Sequence, residues 1–267
     1  MLPDSDKVIQ IIHKTAAELI TPRFCQLSEG DVREKAPGDL VTIADVEAEK
    51  HLEAELTALM PGSVVVGEEE AEDFPSVLER IKGEAPVWVL DPLDGTRNFA
   101  HGRGPFAVIV AYCQGAETLM GWIHDPLSGE TVRAEKGQGC WNGNKRLKVP
   151  VSPPLKDMKG SLSPNVAKRL SADGPANITR VGCVGRDYMD LALGRLDFAR
   201  YAFRLKPWDH AAGVLIHTEA GGDNALLKEN RAYHPDLSPK QAEASGEILL
   251  LAPNKAILES LRLQLHE

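Results

Sequence analysis

A chain of 267 residues, 43% hydrophobic and 26% charged, has the composition of a globular protein and the length to bury a sizeable core, as one domain or two packed lobes. Its formal net charge of −9 argues against a duplex nucleic acid partner, which needs clustered Lys and Arg. It leaves room for an anionic ligand wherever bound cations reverse the local sign.

No apolar run reaches the ~20 residues of a membrane-spanning helix. The N-terminus lacks the basic-then-apolar layout of a signal peptide. A cytoplasmic protein without membrane contact is therefore expected. Cys25, Cys113, Cys140 and Cys183 form no C-x-x-C pair, so free thiols are expected rather than a thiolate metal site.

Along the chain, Ile9, Ile12, Ala16, Leu19 and Ile20 recur at helical spacing and predict a first helix running towards Pro22. A second helical stripe begins near Asp45, passes through Leu52, Leu56 and Leu59, and stops at Pro61-Gly62. Residues 63–66, 87–90 and 106–112 read as strands, and Asn142-Gly143 as a turn. Prolines 150, 153, 154 and 164 suggest a boundary, giving an N-terminal α+β lobe over 1–149 and a C-terminal α/β lobe over 150–267. In the second lobe, 185–193 reads as a helix and 196–203 as a strand. Residues 208–220 read as a helix stopped by Gly221-Gly222. Residues 248–252 form an apolar strand, and 253–265 a last amphipathic helix. The pattern is a mixed α/β protein in stacked layers.

Three acidic groups stand at the ends of apolar segments. Glu68-Glu69-Glu70 follows Val64-Val65-Val66-Gly67, Asp91-Pro92-Leu93-Asp94-Gly95-Thr96 follows Val87-Trp88-Val89-Leu90, and Asp209 opens the helix after Trp208. Ligands bind where strands end and helices begin in layered α/β folds. Carboxylates gathered there repel one another unless cations neutralise them, and Mg²⁺ takes such oxygen ligands together with phosphate oxygens. Asp91 and Asp94 are three apart and would share one side of a helical turn. Gly95 leaves room for a phosphate, and the N–H groups of Gly95 and Thr96 would meet it at a helix N-terminus. A Glu run is ordinarily a solvated face and Asp-Gly-Thr a helix cap, but capping does not account for the whole string.

The string 91–99 resembles the first signature of the inositol monophosphatase family. Trp208-Asp209-His210-Ala211-Ala212-Gly213, followed by Glu219-Ala220-Gly221-Gly222, resembles the second. Gly67-Glu68-Glu69 and Asp39-Leu40-Val41-Thr42-Ile43-Ala44-Asp45 match two further motifs in the family's order, so the resemblance runs from about 39 to 222. It implies an αβαβα sandwich, a homodimer, lithium sensitivity and two to three Mg²⁺ per site. It implies that Glu68, Asp91 and the Leu93 carbonyl hold one metal and that Asp91, Asp94 and Asp209 hold a second. Glu68 would also share a weaker third ion. Asp45 and Thr96 would orient and deprotonate the attacking water, and Gly95 and Thr96 would bind the phosphate. The expected activity is Mg²⁺-dependent hydrolysis of a small metabolite phosphate, inositol monophosphate or a similar polyol or sugar phosphate.

Substrate choice is where the chain departs from the inositol-preferring pattern. Such members carry a Glu several residues before Trp-Asp, whereas 200–207 here has no carboxylate and includes Arg200, Arg204 and Lys206. Cys183 replaces a hydroxyl of the loop that lines the sugar pocket. Cys183, Arg186 and Arg204 are the expected substrate contacts, and the cations would suit a second phosphate or another acidic group. Histidinol-phosphate, 3′-phosphoadenosine 5′-phosphate and fructose-1,6-bisphosphate phosphatases are the alternatives within the superfamily. A regulatory protein-binding role is the non-enzymatic one.

Overall fold

A computed structural model describes residues 2–171 and 174–265. Two helices, α1 (Ser5–Thr15) and α2 (Ile43–Leu59), flank a short hairpin of β1 (Val32–Ala36) and β2 (Asp39–Thr42). The first long strand run follows: β3 (Val64–Gly67), α3 (Glu68–Asp73), β4 (Val87–Asp94), α4 (Thr96–Ala100), β5 (Ala107–Gln114), β6 (Glu117–His124), β7 (Thr131–Glu135), β8 (Gly139–Asn142) and β9 (Lys145–Leu147). These strands form a seven-stranded sheet in chain order. Only β3 and β4 are parallel, and the rest is an antiparallel meander.

The second half supplies β10 (Lys159–Ser161), α5 (Pro164–Ala167), β11 (Asn177–Thr179), α6 (Val184–Ala192), β12 (Phe198–Ala202), α7 (Pro207–Glu219), β13 (Asp223–Leu226), α8 (Pro239–Ser245), β14 (Ile248–Ala252) and α9 (Lys255–Leu265). Its five strands form a separate sheet in the order β11-β10-β12-β14-β13.

Three apolar layers follow from the period-two alternation of the strands. On β4, Trp88 and Leu90 face α1 and α2, in a core with Ile12, Leu52, Leu56 and Trp122. Val87 and Val89 face the other way, into a central core with Tyr188 and Met189 of α6 and Ala211, Ala212 and Ile216 of α7. On β14, Leu249 and Leu251 join that central core, while Ile248, Leu250 and Ala252 face Leu258 and Leu261 of α9. The stacking is therefore helices, sheet, helices, sheet, helix, the αβαβα sandwich expected. Every strand of the larger sheet precedes residue 150 and every strand of the smaller one follows it, yet both halves contribute to the central core. No helix among the described residues is long and apolar enough to cross a membrane.

One local expectation is corrected. Asp91 and Asp94 do not lie on a helical turn; both belong to β4. Alternation along a regular strand would point residues three apart to opposite faces. Here Asp91 pairs with Ile109 and Asp94 with Ala107, so three steps on β4 oppose two on β5. The extra residue is a β-bulge, and it returns Asp94 to the face of Asp91. Ile109 and Ala107 both belong to the central core, so the two carboxylates point towards α6 and α7.

Candidate active site

The bulge, the end of β3 and the N-termini of α6 and α7 bring the expected acidic residues together. Asp91 is 2% exposed and Asp94 8%. The Leu93 N–H donates to Asp91 Oδ1 at 2.9 Å, which holds the carboxylate against its own strand end. Asp94 Oδ2 accepts from the Gly185 N–H at 2.6 Å and from the Cys183 thiol at 3.0 Å. The expected sugar contact Cys183 is therefore buried and spent on a site carboxylate. Gly95 follows at φ +88°, the left-handed region where a side chain is strained, and a Cβ there would lie 2.9 Å from the Pro105 carbonyl. Asn98 of α4 donates to the carbonyls of Pro105 and Val181, both at 2.9 Å, tying the Asp-Gly-Thr segment to the loop that enters α6.

Opposite the bulge stands Asp45, 1% exposed. It is the third residue of α2 and closes a capping box with Thr42. The Thr42 N–H and hydroxyl both donate to Asp45 Oδ2, at 2.8 and 2.5 Å. The other oxygen, Oδ1, lies 2.9 Å from the Thr96 hydroxyl, which also reaches the Leu93 carbonyl at 2.9 Å. Burial raises the Asp45 carboxyl to about 6; Thr42 and Thr96 draw it down and Glu68 pushes it further up. A carboxylate tuned towards neutrality and bonded to a hydroxyl beside a carboxylate cluster is built to take a proton.

Electrostatics within the cluster are unfavourable as the residues stand. Burial, and then repulsion from Glu68, Asp94 and Asp209, holds Asp91 well above the usual carboxylate range. Burial and Glu68 raise Asp209, with Lys206 pulling the other way. Burial raises Asp94 against the donors of α6. Among the described residues no three His, Cys, Asp or Glu side chains form a ready metal cage. The donors are nonetheless all oxygens, and mutual repulsion among buried carboxylates is what a hard divalent cation relieves. The donor chemistry fits such an ion.

Around this cluster lies an ion network that sequence reasoning missed. Lys206 Nζ is 3.0 Å from Glu68 Oε1 and 2.7 Å from Glu72 Oε1. Lys35 of β1 meets Glu72 at 2.7 Å and Glu69 at 2.8 Å. Glu49 of α2 is 7% exposed and accepts the N–H groups of Glu69 and Glu70, both at 2.9 Å, capping α3 from outside. The Thr42-x-x-Asp45 box was legible as a capping signature; the partners of Lys206 and Glu49 carry no local signal.

The expected substrate contacts separate. Arg186 pairs with Asp125 at 2.8 Å and Asp190 at 3.0 Å, whereas Arg204 lines a cavity of about 720 Å³ that reaches Asp209. His210 is buried and held neutral, its ring pushed down to about 3, with the Tyr188 hydroxyl 3.0 Å from Nδ1.

Residues 4–262 match the model of the inositol monophosphatase family. A "Fructose-1,6-bisphosphatase/inositol-1-monophosphatase" of Thermotoga maritima is 33% identical over 189 residues, 69% of this chain and 70% of that protein. A "Nus factor SuhB" of Vibrio cholerae is 33% identical over 245 residues, 86% of this chain and 85% of that one. Among solved structures, a Thermotoga maritima IMPase superposes with a TM-score of 0.80 at 26% identity, covering 98% of this chain and 96% of that one. Matched over nearly its whole length, the chain belongs to the inositol monophosphatase family and is a phosphoric monoester hydrolase.

Proposed function

We propose that the protein hydrolyses a small phosphorylated metabolite, a polyol or sugar phosphate, with Mg²⁺ as its cofactor. The observation that carries this reading is the Asp45–Thr96 pair, 2.9 Å apart, set beside the buried Asp91 and Asp94 and the partly buried Asp209. Glu68, Asp91 and the Leu93 carbonyl would hold one ion, Asp91, Asp94 and Asp209 a second, and Glu68 would share in a third. When bound, such ions would neutralise the carboxylates and stabilise charge on the phosphoryl oxygens.

The chain's own residues supply the rest. The N–H groups of Gly95 and Thr96 bind the phosphate. The Thr96 hydroxyl orients the attacking water, and Asp45 Oδ1 receives the proton through it. Holding these groups in fixed geometry lowers the entropic part of the barrier. The stretch 200–207 has no carboxylate to meet inositol ring hydroxyls and carries Arg200, Arg204 and Lys206 instead, which favours another polyol or sugar phosphate over inositol monophosphate. The expected cytoplasmic setting and homodimer are kept as part of the proposal; analytical ultracentrifugation tests the dimer.

The test of the activity is phosphate release from inositol 1-phosphate, histidinol phosphate, fructose 1,6-bisphosphate and 3′-phosphoadenosine 5′-phosphate. Each is run with Mg²⁺, with EDTA and with added Li⁺. Release that needs Mg²⁺ and is suppressed by Li⁺ supports the reading. Equal release in EDTA rejects the metal assignment. A regulatory protein-binding role is the second reading, favoured by the name of the Vibrio cholerae relative. Capture of one defined protein, unchanged by Asp94→Asn, would support it.

A further inference from the structure

The cavity that reaches Asp209 carries a charge distribution that hydrolysis of a monoester does not require. Among the described residues Asp209 is its one lining carboxylate, set against Arg180, Arg200, Arg204 and Lys228. The neighbouring cavity of about 670 Å³ has four lining cations matched by four carboxylates, so the large excess of the first cavity is not shared by its neighbour. Arg200 makes the case strongest. It is 7% exposed, on β12, and its Nε donates to the Leu265 carbonyl at 2.9 Å. Among the described residues no carboxylate pairs with Arg200, Arg180, Arg204 or Lys228. A buried guanidinium without a counter-charge is costly, and a chain with net charge −9 has carboxylates to spare for it.

The backbone at the mouth is also unusual. Phe203 is 61% exposed and sits at φ +74°, a conformation rare for a bulky residue and found where a site over-determines it. The inverted turn carries Arg204 to the rim, where it lines both cavities.

We propose that this cavity is a subsite for a second anionic group on the substrate, held by Arg180, Arg200, Arg204 and Lys228 while the scissile phosphate lies at the Asp91–Thr96 segment. This rests on the phosphatase reading and narrows it to doubly anionic metabolites. Guanidinium groups converging from different elements suit a phosphate or carboxylate, bound through charge-assisted and bidentate hydrogen bonds.

The test compares fructose 1,6-bisphosphate with fructose 1-phosphate on the full chain with Mg²⁺, in turnover and, in Asp94→Asn, by calorimetric titration without turnover. Erythronate 4-phosphate against erythritol 4-phosphate asks the same of a carboxylate. The expected result is tighter binding of the doubly anionic member of at least one pair, about tenfold or more. That preference collapses towards unity in Arg180→Ala and Lys228→Ala, which change exposed side chains. Equal affinity within both pairs, or equal loss of both members in the variants, overturns the subsite. A preference in Asp94→Asn that the variants abolish, alongside a parent chain that releases no phosphate from these compounds, upholds the subsite and rejects the proposed Mg²⁺-dependent sugar-phosphate hydrolysis instead.

Discussion

Lys206 Nζ lies 3.0 Å from Glu68 Oε1, 138 residues away in the chain. Glu68 is an expected metal ligand, so the ammonium takes an oxygen that a divalent ion would also claim. Lys206 is held in place by Glu72 as well, and burial notwithstanding, these carboxylates keep it firmly charged. The protein thus carries its own counter-cation at the cluster. Lys206→Met is expected to have two opposite effects. Without metal, Glu68 and Glu72 lose a partner in a poorly solvated place, and the melting temperature falls. With Mg²⁺, the ion gains a free Glu68 oxygen, and the thermal shift at a fixed Mg²⁺ concentration grows. Melting curves across a Mg²⁺ series decide this. An unchanged Mg²⁺ dependence in Lys206→Met would reject the competition.

A Cβ at Gly67 would overlap the Glu49 carboxylate. Glu49 cannot simply withdraw, because it accepts the first N–H groups of α3, the helix that begins with Glu68. Gly67→Ala should therefore cost about 1–3 kcal/mol by overpacking and displace Glu68, lowering activity with it. The contact itself is tested by a double-mutant cycle. If the overlap is the cause, Glu49→Ala relieves much of the cost of Gly67→Ala, and the two changes fall short of additivity by about 1 kcal/mol or more. Strict additivity in urea denaturation would mean that another contact is responsible.

The acidic residues of the candidate site were legible from their place at the ends of apolar segments and from the motifs they share with the family. A mixed α/β protein in stacked layers was legible from the apolar patterns of α2, β4, α7 and β14, whereas the αβαβα order came from the family resemblance. The meander β6 to β9 was not. Its last two strands are short, and Lys145-Arg146-Leu147 offers almost no apolar alternation. The three-residue strands β10 and β11 fail for the same reason. The bulge between Asp91 and Asp94 needed knowledge of the β5 register, which no local pattern encodes, and a spacing of three invited the helical reading. Lys206, Lys35 and Glu49 act across long separations, so only the fold reveals their partners.

As the proposed proton acceptor, Asp45 is expected to set the acid limb of the activity. A base works in its ionised form, and burial places this carboxyl at about 6 in the folded protein. The rate is therefore expected to fall as pH drops through about 6. Asp45→Asn should reduce kcat by about 10²–10⁴ and abolish that limb. The Thr42 hydroxyl donates to the ionised form and holds the carboxyl down. Thr42→Val should therefore shift the limb upwards in pH while Asp45 remains present. Profiles of kcat against pH for the three proteins decide the matter. A Thr42→Val limb that stays in place would show that the capping box is structural only.

His217 sits at the end of α7 against Gly222, with both ring nitrogens buried and without a hydrogen-bond partner among the described residues. Burial lowers the ring from the usual 6.5 to about 4. The unfolded chain therefore binds a proton between about pH 6.5 and 4 that the folded chain refuses. Stability from this group is present above 6.5 and is lost as pH falls through that window. His217→Leu removes both the unpaired ring nitrogens and the proton uptake. At pH 7.5 its stability should match or exceed that of the parent, since leaving a polar group unpaired costs about 1–3 kcal/mol. At pH 5 the advantage should widen by about 2 kcal/mol, from the 1.5-unit distance to 6.5. Urea denaturation at the two pH values measures the difference directly. An advantage that stays constant with pH would mean that the His217 ring is protonated equally in the folded and unfolded chains.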